Sequence, residues 1–339
     1  MVNRSYAYPA HDALRLAWMA YQPRGPVHED DRILYLAGEE NLELPGYRQL
    51  GYRPDQLLTC EHDPRRFPHV LANGQGVNVA QGNIADAIAA LQQWEWPRLR
   101  GAWLDFDGNS HTYTDELLKL AAVLPSPRGS TLGVTSFAAR DNEALVQGTV
   151  NTCKFLSGLE NLSQFMREYG TQLRQYEHLL RFIRHGESTP TSHFQREMGL
   201  LWWLVLMFGS IDLPKGERYY HSDGDFLDRS SSILDGLTRK VEGALSTGSQ
   251  SRMVWEFDPA LRDLLAGRKV SVWITHLERY AFWSQNRQPM RTWFVKVQPV
   301  IEDVFAPTMQ DLLVQAWKLA CRSPLIYIDE QGGRVQIDP

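Results

Sequence analysis

Apolar residues come in short blocks along the first 140 positions, and each block is closed by a glycine, an amide or an acid. Ile33-Leu34-Tyr35-Leu36-Ala37 is a strand-like run that stops at Gly38, and the acidic stretch Glu39-Glu40-Asn41-Leu42-Glu43 opens a helix-like segment reaching about residue 50. Further buried-strand runs end at Glu61, at Gly82-Asn83 and at Asp105, each about 22 residues after the last. A strand, a crossover helix and two short loops need about that much chain. A helix over 11–21 leads in, strands follow over 56–60, 76–80, 100–106 and 130–137, and Pro64 suits the first turn of the helix after the second strand. A helix runs to 93 and another spans 114–124. Five strands, each followed by a helix-like segment, make a mostly parallel α/β sheet the expected architecture.

The pattern changes after residue 141. Leucine-rich helical periodicity over 155–180 and 194–208 marks 142–248 as an all-helical insertion, and the serine-rich pieces 230–232 and 246–249 read as linkers. Strand signal returns at 253–257 and 270–283, with 292–297 as an antiparallel partner across the loop 284–290. A helix over 308–320 and a small strand pair near 325–337 complete a C-terminal extension, 301–339.

Composition narrows the classes of function. The chain has 339 residues, 43% hydrophobic and 22% charged, ordinary for a globular protein, and a net charge of -5 that argues against coating nucleic acid through a global positive field. Residues 1–150 hold 13 basic and 18 acidic side chains, and the remainder is balanced at 22 each, so any basic surface comes from the second half. Arg174, Arg181, Arg184 and Arg196, with His178 and His185 among them, form such a local patch for the phosphates of DNA or RNA on the helical insertion, or else a solvated helix face. Cys60, Cys153 and Cys321 are isolated, and the His and Asp residues of 219–225 fit no metal motif, so no metal is expected. The longest apolar run, 200–208, is nine residues against the roughly 20 that span a bilayer; with no signal pattern at the N-terminus, a cytoplasmic protein without membrane contact is expected.

The strand ends carry the candidate chemistry. Glu61 closes the second strand 23 positions after Gly38, the geometry by which such folds bond a ribose hydroxyl pair; an ordinary acid at a helix start is the alternative. Asn83 with Ile84 makes a loop that packs a flat ring and reads its edge, or a plain helix cap. Asp105-Phe106-Asp107-Gly108 crowds two carboxylates at the fourth strand end, with Asp105 the stronger candidate and Asp107 a turn former or second acid.

On these residues the chain resembles the class I methyltransferases that use S-adenosylmethionine, over about 10–140 and 265–300. The resemblance implies a Rossmann-like, mostly parallel seven-stranded sheet with helices on both faces, formed by 1–141 and 249–300, its last two strands a hairpin. It implies S-adenosylmethionine as cofactor, with Ala37, Gly38, Glu39 and Asn41 around the methionine part, Glu61 on the ribose, Asn83 and Ile84 on the adenine, and Asp105 and Asp107 at the catalytic position. The loop holds one glycine where the family shows several, and the paired prolines and aromatic of the adenine and cytosine amine methyltransferases are absent from Asp105-Phe106-Asp107-Gly108. Two functions follow: methyl transfer to a large substrate, with nucleic acid the candidate, or a catalytically inactive relative that binds a partner or regulates. A nicotinamide oxidoreductase is disfavoured, because no Gly-x-Gly-x-x-Gly cradle is present.

Overall fold

The computed structural model describes residues 7–93, 98–106, 120, 123–124, 126–137, 175, 177–179, 269–300 and 307–339. Within that set the helices are α1 (Pro9–Tyr21), α2 (Leu44–Gln49), α3 (Phe67–Asn73), α4 (Ile84–Gln93) and α5 (Met309–Arg322). The strands are β1 (Ile33–Tyr35), β2 (Leu57–Glu61), β3 (Asn78–Gln81), β4 (Gly101–Asp105), β5 (Ser130–Phe137), β6 (Val272–Trp283), β7 (Pro289–Pro299), β8 (Leu325–Ile328) and β9 (Arg334–Ile337).

All nine strands join one mostly parallel sheet in the order β3-β2-β1-β4-β5-β7-β6-β8-β9. Strands β1 to β5 pair in parallel, while β7 runs antiparallel to both β5 and β6. Among the described residues the sheet thus has nine strands, not the expected seven. The extra two are the C-terminal pair, with β8 parallel to β6 and β9 antiparallel to β8. Strands of four residues carry too little pattern to announce which neighbour they join, and packing against β6 decides it.

Burial explains why these stretches are strands. Every residue of β1 and β2 is buried, as are four of the five in β4, the signature of strands covered on both faces. Helix α1 lays Ala10, Leu14, Ala17, Trp18 and Tyr21 into the core while Leu16 points outward. The Trp18 ring sits 5.7 Å from Trp103 and 5.1 Å from Phe294, and its Nε1 donates to the Tyr47 hydroxyl at 2.7 Å. Gly133 on β5 admits this cluster, since a Cβ there would meet Trp103 at 2.8 Å and Trp18 at 3.1 Å.

Two local readings change. The acids after Gly38 do not open a helix: residues 39–43 form turns and α2 begins only at Leu44, because Asn41 takes a left-handed backbone (φ 48°) that a right-handed helix excludes. Pro64 lies in a turn, and α3 starts at Phe67 with Pro68 in its first turn.

The chain's end closes back on its start. Arg334 of β9 donates to the carbonyl of Ala13 in α1 at 2.6 Å. Gln175, from the expected insertion, is wholly buried: its amide donates to the Ile337 carbonyl at 3.0 Å, and its Oε1 accepts from Arg279 at 2.6 Å. The helices expected over 194–208 and most of 155–180, the strand over 253–257, the serine-rich linkers and the loop 219–225 lie outside the described residues, as do Arg174, Arg181, Arg184, His185 and Arg196; His178 is described and exposed. No helix among the described residues is long and apolar enough to cross a membrane.

Candidate functional site

Because β1 to β4 run parallel, their carboxyl ends share one edge of the sheet, and the loops that leave them border a single cavity of about 150 Å³. Strand β1 contributes Leu36, Ala37 and Gly38, β2 contributes Cys60, Glu61 and His62, the loop after β3 contributes Gly82, Asn83 and Ile84, and β4 contributes Asp105 and Phe106. Six residues expected at a ligand site, Ala37, Gly38, Glu61, Asn83, Ile84 and Asp105, therefore face one space.

Each is fixed by local bonding. The Ala37 amide donates to Thr59 Oγ1 at 2.9 Å, which ties the β1 exit to β2, and the Gly38 carbonyl accepts from the Asn41 amide at 3.0 Å, closing a turn. Gly82 (φ +130°) accepts a backbone shape and a contact with Asp86 that no other side chain tolerates. Asn83 and Asp86 exchange backbone-to-side-chain bonds at 2.8 and 3.1 Å, a reciprocal cap on α4, while Ile84 is buried as an apolar wall. Glu61 is 6% exposed; its Oε1 accepts from the Asp63 amide at 2.8 Å, and its Oε2 lies 3.5 Å from Arg66 Nε.

Glu39 and Asn41 do not border the cavity. Glu39 pairs with Arg66 Nε at 3.0 Å, so one guanidinium joins Glu39 to Glu61. Asn41 is buried beneath, its Oδ1 accepting from the Tyr35 hydroxyl at 2.7 Å. Asp107 lies outside the described residues.

Sequence reasoning missed His11, Glu43 and Arg66. His11 and Arg15 stand one turn apart on α1, and each holds an acid: His11 Nε2 lies 2.7 Å from Asp105 Oδ2, and Arg15 Nε donates to Glu43 Oε1 at 2.7 Å. The His11 ring stacks 5.9 Å from Trp103, edged by Phe282 at 6.3 Å. Glu43 is 5% exposed and borders the cavity, and its Oε2 is buried with no hydrogen-bond partner. The legible signal was polar residues on the apolar face of α1: His11 and Arg15 share that face with Leu14 and Trp18.

Among the described residues that line it the wall is acidic, with Glu43, Glu61 and Asp105 around it and Arg66 as a formal cation. Burial, then the neighbouring Glu61 and Asp86 charges, pushes the Cys60 thiol up to about 12, so it stays protonated at neutral pH. The arrangement offers buried acceptors, one apolar wall and one carboxylate steadied by an imidazole, which suits a polar ligand with hydroxyls and positive charge. No protein-family model matches the chain, and no curated protein sequence matches it.

Proposed function

We propose that the chain is a class I, Rossmann-like methyltransferase that binds S-adenosylmethionine in this cavity and methylates a large acceptor, with nucleic acid the leading candidate. The observation that carries the reading is the convergence of Gly38, Glu61, Ile84 and Asp105, each leaving a different one of four parallel strands, on one cavity. The strand order, 3-2-1-4-5-7-6 across the first seven places with β7 reversed, supports it. So does the donor set, in which a buried acid ends β2, an apolar wall follows β3, and a second buried carboxylate keeps an oxygen without a partner.

When bound, S-adenosylmethionine supplies a methyl group already activated for displacement. The protein's task is then to align the acceptor and exclude water. Gly38 lets the ligand approach the backbone, Glu61 accepts from the sugar hydroxyls, and Ile84 with Asn83 holds the base. Asp105, one oxygen held by His11, takes the acceptor's proton on the other. The basic residues Arg174, Arg181, Arg184 and Arg196 motivate nucleic acid as acceptor.

Isothermal titration with S-adenosylmethionine tests the reading. Binding to the wild type that is lost or much weakened in Glu61→Ala is the expected result; no binding to the wild type, or unchanged binding in the variant, overturns it.

One observation favours a second reading, an inactive relative that binds a partner. Arg66 already engages Glu61 Oε2, the oxygen a ribose hydroxyl would need. A chain that binds no nucleoside even as Arg66→Ala fits that reading.

A further inference from the structure

Charge is unevenly placed on the two edges of the sheet. Glu43, Glu61 and Asp105 border the cavity at the carboxyl ends of the parallel strands. The opposite edge, where those strands begin, gathers cations on its β4–β5–β7 side. Arg100 immediately precedes β4, Arg128 and Gly129 precede β5, and Lys296, near the end of the reversed β7, pairs with Thr131 of β5, so all of these reach one end of three adjacent strands. Arg24 joins them from beyond α1, whose Tyr21 ring lies 4.6 Å under Lys296 Nζ. Three of the four cations come from the acid-rich first 150 residues, where charge totals alone conceal them.

Their partners leave the group short of negative charge. Arg100 Nη1 donates to the carbonyls of Arg128 and Gly129, which fixes its guanidinium at the edge. Asp31 sits within the group: its Oδ1 accepts from Arg128 Nη2 at 2.5 Å and lies 4.0 Å from Arg100 Nε. Glu278, on the flank, already accepts from the Tyr280 hydroxyl at 2.5 Å and lies 3.4 Å from His276 Nε2. Toward β1 and β2, Asp30 lies 3.3 Å from His28 and Asp55 3.0 Å from Arg53. Arg24 is exposed and Lys296 half-buried, and among the described residues neither has a carboxylate partner. Burial holds the Lys296 ammonium below the usual lysine value; Glu278 opposes this, and the charges of Arg100 and Arg24 add to it. Like charges gathered this closely repel one another, and an anion laid across them relieves the repulsion.

We infer that this edge docks the phosphates of a nucleic-acid strand, with Arg24 and Lys296 as the cations free to take them and Arg100 and Arg128 behind. The inference rests on the proposed nucleic-acid acceptor and adds where its backbone is held, away from the acidic cavity mouth that repels phosphate. Phosphate contacts carry no sequence information, so a strand of any sequence serves as probe.

The experiment is fluorescence anisotropy with a labelled single-stranded RNA of mixed sequence, over a salt series. The double variant Arg24→Gln/Lys296→Gln is expected to bind about tenfold more weakly at about 0.1 M salt and to lower the slope of log affinity against log salt by about 1.4, the share of two phosphates. Arg53→Gln, which removes a charge from the paired side of the same edge, should stay within about twofold. Unchanged affinity and slope in the double variant, or equal weakening by Arg53→Gln, overturns the inference and leaves the nucleic-acid acceptor standing. Release of the RNA by polyglutamate as readily as by unlabelled RNA overturns it in favour of an acidic protein segment, and release by inorganic phosphate beyond the effect of chloride at equal ionic strength does so in favour of a small anion. No RNA binding by the wild type removes the nucleic-acid acceptor and this inference together, while titration with S-adenosylmethionine still judges the cavity. Should the double variant not fold by circular dichroism, Arg24→Gln alone decides: a slope lower by about 0.7 supports the contact, and an unchanged slope overturns it.

Discussion

His11 Nε2 on α1 lies 2.7 Å from Asp105 Oδ2 at the end of β4, a bond between residues 94 positions apart. It ties the first helix to the candidate acid of the cavity, with the histidine 2% exposed and the Asp105 side chain 13% exposed. Removing the imidazole leaves a largely buried carboxylate short of a donor. His11→Phe is therefore expected to cost about 2–3 kcal/mol in urea unfolding. In a cycle with Asp105→Asn, a coupling of about 1 kcal/mol or more is expected; strict additivity would show that the contact contributes nothing.

Gly133→Ala tests the tryptophan cluster. The new methyl meets Trp103 at 2.8 Å and Trp18 at 3.1 Å, and both rings are almost wholly buried, so neither moves aside freely. A loss of about 1–3 kcal/mol is expected, read as a lower urea midpoint at unchanged slope. An unchanged midpoint would show that the cluster has room to shift.

Arg66→Ala probes the cavity mouth. The half-exposed Arg66–Glu39 pair is worth less than about 1 kcal/mol, and losing the longer contact to the buried Glu61 adds to that, so a stability loss of about 1 kcal/mol is expected. Ligand binding should change, because the variant frees Glu61 Oε2. Titration with S-adenosylhomocysteine is expected to tighten by about threefold to tenfold, the scale of one modest competing interaction. Weaker binding would mean that the guanidinium contacts the ligand instead.

Cys60 predicts both reactivity and an alkaline dependence. With its thiol pushed up to about 12 by burial, only about three in ten thousand copies are ionised at pH 8.5, so alkylation of Cys60 should wait for unfolding. Peptide mapping after iodoacetamide treatment, native against denatured, checks this. The sign for stability follows from the folded thiol holding its proton more tightly than the unfolded one, whose ordinary value is 9.0. Its contribution is complete below pH 9 and is lost as pH rises from about 9 to about 12, at no more than about 1.4 kcal/mol per pH unit. Tyr35, Tyr47 and Tyr280, also raised chiefly by burial, add the same sign at still higher pH. Urea midpoints between pH 8 and pH 11 should fall, and a rise would contradict the burial of these groups.

The cavity's edge was legible because parallel crossovers impose a period. Runs ending at Gly38, Glu61, Asn83 and Asp105 at about 22-residue intervals fall at successive strand ends, and β-strand geometry then brings those ends to one side. The hairpin of β6 and β7 was legible from its Val, Trp and aromatic content, although the 292–297 reading stopped short of Pro289 and Pro299, residues a strand accepts at its ends. Contacts that depend on distant partners were not. His11 meets Asp105 and Arg15 meets Glu43 only after α1 packs on the sheet, and no local pattern encodes that pairing. Glu39 and Asn41, set around the methionine part by the resemblance, lie off the cavity wall: Asn41 takes a left-handed turn that buries its side chain beside Tyr35, and Glu39 pairs with Arg66.

The bond from Arg334 to the Ala13 carbonyl has a consequence for how the molecule is made. A ribosome delivers β9 more than three hundred residues after α1, yet the helix that carries His11 and Arg15 leans on that strand. The helix that brings His11 to the cavity therefore gains this support only when residues 325–337 have emerged, so a nascent chain arrested before them would hold most of its sheet with that helix less firmly seated.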